Sequence, residues 1–407
     1  MLGITAGVQM SDRGLQAILL ADIQRTFAVS DAIIGALQGL AGVLVGSALA
    51  VPLARLADRW SRKSVFLSLI IGWTALMALS ALAPTFPMFF IGRAASGVTE
   101  FAMIPIVYSL IPDLAPERHR VLANLVFAGL MAVGASAGFY FGEAIVGAAR
   151  TLIGGELAPW RQALLLLAGA GAPLFLLALA TFDPPRRVIA AAHTGGDALA
   201  PFLLERWRAI GLFVGVAGSL AVAVQALNPL IALALHRRFG TELGVIGHTL
   251  GWVTLVSTIG CLPVAGVLDR VLGARFGPAA RPLVMGGGAL LAIPCAAGLL
   301  VVEGIDGALA CVALFLLATC ISNALVPTAL QDLTPASLRA RSFAVWSFVV
   351  SVFCAVGPLV AGAISDVALG GNLLAAIAVT AVPSLVISVL CAARSVRRAP
   401  ARAAVVA

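Results

Sequence analysis

Four charged residues stand inside long apolar stretches of the 407-residue sequence: Asp12, Arg13, Arg93 and Glu100. On insertion scales, a charge at the centre of a membrane helix costs about 2.5 to 3.5 kcal/mol, so we expect the four side chains to face a water-filled cavity and to compensate one another. Desolvation raises the pKa of a carboxyl group, and a nearby arginine lowers it. Arginines that change partners would therefore load and release protons at Asp12 and Glu100. The chemistry that these residue types predict is proton coupling.

The spacing of the four residues leaves a second interpretation open. Arg93, Ser96 and Glu100 follow an i, i+3, i+7 pattern and share one helix face, whereas the neighbours Asp12 and Arg13 point about 100° apart. Two static ion pairs that only lock the helices together would satisfy the same pattern. The dependence of a Glu100→Gln variant on a pH gradient distinguishes coupling from locking.

The composition identifies the class of protein that must position these charges. Residues of the types AVILMFWYC make up 61% of the chain and charged residues only 11%, less than half of the roughly 25% found in soluble domains. The apolar residues suffice for about twelve membrane-spanning helices of about 20 residues each. The sequence therefore excludes a water-soluble globule and predicts an all-α integral membrane protein with twelve transmembrane helices.

Apolar runs separated by charged, Pro or Gly residues give the bounds of the twelve predicted spans. They lie at 2–28, 32–57, 64–84, 88–112, 121–148, 160–182, 208–236, 243–268, 282–302, 306–331, 340–366 and 371–393. The loops after every second span and the C-terminal tail hold nineteen of the 26 Lys and Arg residues, and the opposite loops hold five. The positive-inside rule then predicts that both termini are cytoplasmic. We expect a multi-pass protein of the plasma membrane, in bacteria the inner membrane.

An internal repeat divides the spans into two bundles of six. An Asp-Arg pair after span 2, at Asp58, recurs after span 8 at Asp269, and the pattern Asp-Leu-x-Pro at 113–116 recurs at 332–335. Both landmarks recur in the same order and at equivalent points of the topology. The predicted domains are an N-terminal six-helix bundle at 1–182, a cytoplasmic linker at 183–207, a C-terminal six-helix bundle at 208–393 and a cytoplasmic tail at 394–407.

The loop after span 2 carries a recognisable signature. Residues 54–63 read Ala-Arg-Leu-Ala-Asp-Arg-Trp-Ser-Arg-Lys, which resembles the major facilitator superfamily pattern Gly-x-x-x-Asp-Arg-x-Gly-Arg-Lys/Arg, with Ala54 and Ser61 in place of its glycines. A parallel six-plus-six repeat is also the architecture of that superfamily. The resemblance implies a latch between the two halves on the cytoplasmic side, whereas Arg62 and Lys63 equally fit a purely topogenic role. The latch residues are Asp58, Arg59, Arg62, Lys63, Asp269 and Arg270.

Further stretches resemble the Spinster-like transporters within the superfamily. They are Ser-Asp-Arg at 11–13, Phe-x-x-Ser-Asp-x-x-x-Gly at 27–35, Gly-Arg-x-x-x-Gly-x-x-Glu at 92–100 and Gly-Pro-x-x-x-Gly-x-x-Ser-Asp at 357–366. In the superfamily fold, spans 1 and 4 line the N-terminal half of a central cavity. The resemblance thus implies that the four membrane charges lie near one water-filled space.

Uncharged polar residues inside the spans are the candidates for substrate binding. Gln38 lies in span 2, Gln225 and Asn228 in span 7 and Asn323 in span 10. The pair in span 7 stands one turn apart just before Pro229, a residue that frees backbone groups and tends to break a membrane helix. Hydrogen bonding between helices is the alternative role for each of these residues.

Span 5 carries three glycines at intervals of four, Gly134, Gly138 and Gly142. Such GxxxG steps permit a close helix crossing. We expect this face to form the sliding surface between the two bundles.

The sequence therefore predicts a secondary transporter that moves a small organic or amphipathic solute by alternating access, coupled to protons. An uncoupled facilitator and a sensor that keeps the fold without turnover are the alternatives. A Walker A pattern, a nucleophile with His and acid, and Cys/His metal spacing are all missing from the sequence, so we expect no enzyme, no metal and no cofactor. The expected partners are a small-molecule or lipid-like substrate, protons and membrane lipids, without nucleic acid, and we expect a monomer.

Overall fold

The computed structural model describes residues 1–49, 61–114, 116, 119–180, 199–335 and 338–398, and every regular element in them is helical. Helix α2 continues as a π-helix at Leu37–Val45, and a 3-10 turn occupies Gly277–Ala279. The helices are α1 (Leu2–Phe27), α2 (Asp31–Ala36), α3 (Arg62–Leu82), α4 (Phe86–Leu114), α5 (Arg120–Tyr140), α6 (Gly142–Ile153), α7 (Pro159–Gly169), α8 (Gly171–Leu179), α9 (Leu199–Glu205), α10 (Trp207–Leu227), α11 (Ile231–Phe239), α12 (Leu243–Phe276), α13 (Ala280–Gly298), α14 (Ile305–Ala324), α15 (Val326–Leu333), α16 (Arg339–Ala368) and α17 (Leu373–Arg398).

Within the described residues, ten helical stretches are long and apolar enough to cross a membrane. Two features explain why ten stretches are found instead of the predicted twelve. Helix α1 falls outside the ten because Gln9, Asp12, Arg13 and Gln16 lower its hydropathy, and the predicted spans 8 and 9 join in one helical stretch, Leu243–Gly298. The all-helical, multi-pass character of the protein is confirmed, and the count of twelve stays a prediction.

The chain divides into two compact units. The first comprises Met1–Ala191 with Pro229–Trp252, and the second comprises Ala192–Asn228 with Val253–Ala407. The predicted domain bounds stay a prediction. Residues 183–198 of the predicted linker and 399–407 of the predicted tail lie outside the described residues.

A core cluster of the first unit draws buried side chains from helices α1, α3, α4, α5 and α8. Phe66, Ile70, Met103 and Val107 are among its fully buried side chains, and Phe127 of α5 packs against them. Lipid tails are as apolar as these side chains, so close van der Waals packing rather than escape from water stabilises such contacts. The core fixes α4, the helix that carries Arg93 and Glu100.

Glycines bring α1 and α5 into backbone contact within the first unit. A Cβ atom at Gly134 would overlap the carbonyl of Gly7, and one at Gly138 would overlap the carbonyl of Ser11. The predicted close crossing is therefore present, but the glycine face packs on α1 of the same unit. The expectation that these glycines form a sliding surface between the bundles is wrong. Because they lack side chains, α1, the helix that carries Asp12, packs closely against them.

Gly138→Ala is expected to lower the free energy of unfolding by about 1 to 3 kcal/mol, because the added methyl group overlaps backbone atoms that cannot rotate away. Gly129→Ala is the matched control on the same helix, since a Cβ there meets nothing within 4 Å. Thermal melting of both purified variants in detergent measures the difference. Equal melting temperatures would show that α1 and α5 do not depend on the crossing.

The second unit has a core of its own. Helix α10 packs against α16 and α17, and α13 packs against α14 and α17. Phe213 and Met285 are buried there, and the ring of Phe213 meets that of Trp346 edge to face at a centroid distance of 4.8 Å. This core holds together the ends of α10 and α17, which carry several arginines.

Candidate functional site

A buried ion pair joins α1 to α4. Nη2 of Arg93 lies 2.7 Å from Oδ2 of Asp12, and the two side chains are 6% and 0% exposed. The same Nη2 donates to Oε1 of Gln16 at 2.8 Å, and Nη1 lies 2.9 Å from Sδ of Met77 on α3. Three neighbours thus fix the guanidinium group, and α1 cannot rotate without breaking these contacts.

A second ion pair joins the same helices seven residues further along α4. Nε of Arg13 lies 3.3 Å from Oε2 of Glu100. Glu100 is buried, but the Arg13 side chain is 38% exposed, and its guanidinium carbon lies 4.7 Å from the centre of the Phe101 ring. This pair is longer than the first one, and its cationic side chain is the least buried of the four.

The structure therefore brings the four predicted charges together as two separate pairs. Asp12 and Arg13 point to different parts of α4, as the angle of about 100° between neighbouring side chains requires. Asp12 meets Arg93, and Arg13 meets Glu100. Each carboxylate has an arginine partner, which offsets the cost of placing the charges among apolar helices.

Each of the four side chains keeps one buried polar atom without a hydrogen-bond partner among the described residues. These atoms are Oδ1 of Asp12, Nη2 of Arg13, Nε of Arg93 and Oε1 of Glu100. A buried polar atom left unpaired costs about 1 to 3 kcal/mol. The cluster thus holds two donors and two acceptors that are able to take a water, a proton or a solute group.

Amide side chains on α1 belong to the same site and were missed by the sequence reasoning. Gln9 and Gln16 are buried, and Nε2 of Gln9 has no partner among the described residues. A pattern could have revealed them, because Gln9, Asp12 and Gln16 follow an i, i+3, i+7 spacing and share one helix face. On α3, the buried Nε1 of Trp73 is likewise unpaired among the described residues.

The predicted latch residues are only partly described. Asp58 and Arg59 lie outside the described residues, as does the side chain of Arg62. Nζ of Lys63 donates to the carbonyl oxygen of Leu179 at 2.8 Å, where a cation complements the C-terminal end of α8. Lys63 therefore ties α3 to α8, and the latch role stays a prediction.

The second copy of the Asp-Arg pair has a partner that the sequence reasoning did not single out. Oδ1 of Asp269 lies 3.1 Å from Nε of Arg281, and Arg281 also pairs with Asp332, whereas Arg270 is exposed. The internal repeat of the sequence points to Arg281. The offset of 219 residues that relates Asp113 to Asp332 also relates Arg62 to Arg281.

The candidate substrate residues have different surroundings. Gln38 lies in the π-helix, part-buried, with its Nε2 atom unpaired among the described residues. π-helical turns are rare and frequent at functional sites. Gln225 and Asn228 are part-buried, and the predicted break at Pro229 is present, since α10 ends at Leu227 and α11 begins at Ile231. Asn323 is exposed on α14.

A further buried carboxylate, Asp31, begins α2 shortly after the end of α1. Asp31 is 3% exposed, and its two oxygens lie 2.8 and 3.0 Å from Nη1 of Arg237. Gln24 donates to Oδ1 of Asp31 at 2.9 Å and accepts from Arg237. By the positive-inside rule, Arg237 is only a loop charge. The structure shows that it ties α11 to α1 and α2 within the first unit.

Arg237→Gln is expected to cost about 1 to 3 kcal/mol of stability, because both oxygens of the buried Asp31 carboxylate lose their charged donor, Nη1 of Arg237. Arg238→Gln removes the same charge from the next position, which is exposed, and should change stability by less than about 0.5 kcal/mol. Melting temperatures at equal pH and salt compare the two. Equal losses would mean that the Asp31 contact adds nothing beyond net charge.

Known proteins share both the sequence pattern and the fold. The sequence profile of the Major Facilitator Superfamily matches residues 2–270. An MFS-type efflux pump of Mycolicibacterium smegmatis is 25% identical over 380 residues, which cover 90% of this chain and 83% of that pump. A chloramphenicol efflux pump of Mycobacterium tuberculosis is 28% identical over 257 residues, which cover 63% of this chain and 57% of the pump.

Solved structures extend the likeness over the whole fold. A bacterial homolog to the human lysosomal transporter Spinster, in an inward-facing and unoccupied conformation, matches with a TM-score of 0.82 at 21% identity, over 97% of this chain and 95% of that one. A D-xylose-proton symporter matches with a TM-score of 0.69 at 15% identity, over 95% of each chain. At these identities, the likeness shows a shared fold.

Proposed function

The chain belongs to the Major Facilitator Superfamily and resembles its Spinster-like transporters, and from this membership we propose that it moves a small organic or amphipathic solute by alternating access, coupled to protons. It is a multi-pass membrane transporter and not an enzyme. One observation carries the coupling proposal: two Asp/Glu–Arg pairs lie between α1 and α4, with donors and acceptors left unpaired. The proposed architecture is twelve spans in two six-helix bundles, with both termini in the cytoplasm of a bacterial cell.

The two ion pairs are suited to different tasks. Breaking the Asp12–Arg93 pair would leave two fully buried charges, which is strongly unfavourable. Breaking the Arg13–Glu100 pair leaves a cation on a side chain that is 38% exposed, while a proton can neutralise Glu100. We therefore assign proton exchange to Glu100, with Arg13 as its alternating partner. Asp12 and Arg93 hold α1 against α4 while the exchange occurs.

Alternating access requires a contact that holds one side closed. We propose that Asp58, Arg59, Arg62 and Lys63 latch the cytoplasmic side together with Asp269 and Arg270. The pairs of Arg281 with Asp269 and Asp332 support this assignment, because they show that the second copy of the motif builds a charge network at the ends of α12, α13 and α15.

The proposed solute carries apolar surface and a few hydrogen-bonding groups. Because so few polar residues occur in the predicted spans, we propose a largely apolar substrate cavity, with Gln38, Gln225, Asn228 and Asn323 as the candidate contacts. Relatives are named as an MFS-type efflux pump and a chloramphenicol efflux pump, which favours export of an aromatic or amphipathic compound such as a lysolipid. We propose export in exchange for protons.

Ligand binding and flux test the proposed function in sequence. Purified protein is screened by thermal shift with chloramphenicol, D-xylose, a nucleoside and a lysophospholipid, and the compound that stabilises it most is then followed in proteoliposomes with an imposed pH gradient. Uphill movement that collapses with the gradient supports the proposal. Downhill movement without any response to pH would indicate a facilitator, and binding without flux would indicate a sensor.

A further inference from the structure

A basic groove lies between the ends of two membrane-spanning helices in the second unit. Helix α10 begins at Trp207, and α17 ends at Arg398. Together they line an open groove with a volume of about 270 Å³. The lining residues are Trp207, Arg208, Gly211, Leu212, Arg394 and Arg398. We propose that this groove binds the phosphate group of an anionic phospholipid.

The charge of the groove points to an anionic occupant. Arg208, Arg394 and Arg398 contribute three positive charges, and none of the described lining residues is acidic. Arg394 and Arg398 stand at i, i+4 on one face of α17, where like charges repel each other. A phosphate between them and Arg208 would turn this repulsion into charge-assisted hydrogen bonds. Glu205, two residues before Trp207, is not part of the lining.

The start of α10 adds to the attraction. The first N–H groups of a helix lack intrahelical partners and carry the positive end of its dipole. The N–H groups of Ala209 and Ile210 already donate to the carbonyl oxygen of Arg206, but no side chain caps this end of α10 among the described residues. Gly211 leaves the wall of the groove open, because a Cβ there would meet nothing within 4 Å. A phosphate is therefore able to approach the first turn closely.

The position of the groove favours a lipid over a free anion. Both helices are long and apolar enough to cross the membrane, so the start of α10 and the end of α17 lie at the lipid headgroups. The guanidinium carbon of Arg208 lies 5.3 Å from the centre of the Trp207 ring, and tryptophan and arginine are residues that anchor helices at this depth. The charge count predicts that this end is cytoplasmic, where anionic lipids attract basic residues.

Lipid titration of the full chain tests the proposal. Delipidated protein in detergent is mixed with dioleoyl phosphatidylglycerol or dioleoyl phosphatidylcholine, and native mass spectrometry counts the bound lipid. We expect the Arg394→Gln/Arg398→Gln variant to lose about 25-fold in affinity for phosphatidylglycerol, about fivefold for each arginine, with no change for phosphatidylcholine. Gly211→Leu should also weaken binding, because it fills the groove without changing the charge.

Matched controls separate a built site from general attraction. Arg397→Gln and Arg206→Gln remove the same charge from exposed neighbours that do not line the groove, and both should keep full affinity. An equal loss in these controls would overturn the site, since bulk charge would then explain the binding. Competition by free glycerol phosphate at the lipid's own concentration would overturn the choice of a lipid. Melting temperatures confirm that each variant is folded.

Discussion

Arg93→Met is expected to destabilise the protein by about 3 to 5 kcal/mol, because it leaves the fully buried carboxylate of Asp12 without its cation. Oε1 of Gln16 and Sδ of Met77 lose a donor at the same time. Thermal melting of the purified variant in detergent measures the loss. Arg25→Met is the matched control, since Arg25 pairs with Asp22 at the surface with its side chain 76% exposed, where an ion pair contributes at most about 1 kcal/mol.

A double variant separates the charge from the fold. Asp12→Leu together with Arg93→Met replaces the buried pair by apolar side chains, a change that is often neutral or stabilising. We expect it to restore most of the melting temperature. If proton exchange resides in Glu100 and Arg13, the double variant should also keep the response of transport to a pH gradient. A stable double variant that has lost this response would assign coupling to both pairs.

An Arg93→Met single variant no less stable than Arg25→Met would show that the Asp12–Arg93 pair does not stabilise the fold.

The sequence was sufficient to select the four charges but not to pair them. Their cost in a membrane marks Asp12, Arg13, Arg93 and Glu100 as candidate functional residues without any structure. Which arginine meets which carboxylate depends on the rotation of α1 about its axis. That rotation is set by the contacts of Gly7 and Ser11 with glycines of α5, and no periodicity encodes it.

Contacts between distant parts of the chain could not be predicted from the sequence, for a different reason. Asp31 and Arg237 are 206 positions apart, and an arginine in a short loop looks the same whether it is topogenic or paired. The π-helix at Leu37–Val45 was also unpredictable, because a shift from i+4 to i+5 hydrogen bonds leaves no mark on an apolar sequence. Arg281, in contrast, could be predicted as a paired residue, since the internal repeat relates it to Arg62.

The largest functional effect is expected from Glu100→Gln, because glutamine keeps the shape of the side chain but cannot carry a proton. With one proton exchanged per solute, a pH difference of one unit sustains about a tenfold solute gradient. We expect the wild-type protein to approach that value in proteoliposomes, using the ligand that stabilises it most. The variant should only equilibrate the solute, with a ratio near one. Arg13 then faces a neutral amide at the position where it now meets Oε2 of Glu100.

Glu156→Gln serves as the control for this substitution, since Glu156 is exposed in the loop between α6 and α7 and should leave the solute gradient unchanged. A downhill exchange assay in the same vesicles shows whether Glu100→Gln still binds and moves the solute. If exchange persists while accumulation is lost, the carboxyl group of Glu100 links the two gradients. Full accumulation by Glu100→Gln would falsify this role. The proton would then have to bind Asp12, the other carboxylate of the cluster. Breaking the pair of Asp12 with Arg93 leaves two buried charges unpaired, which costs far more than breaking the Arg13–Glu100 pair.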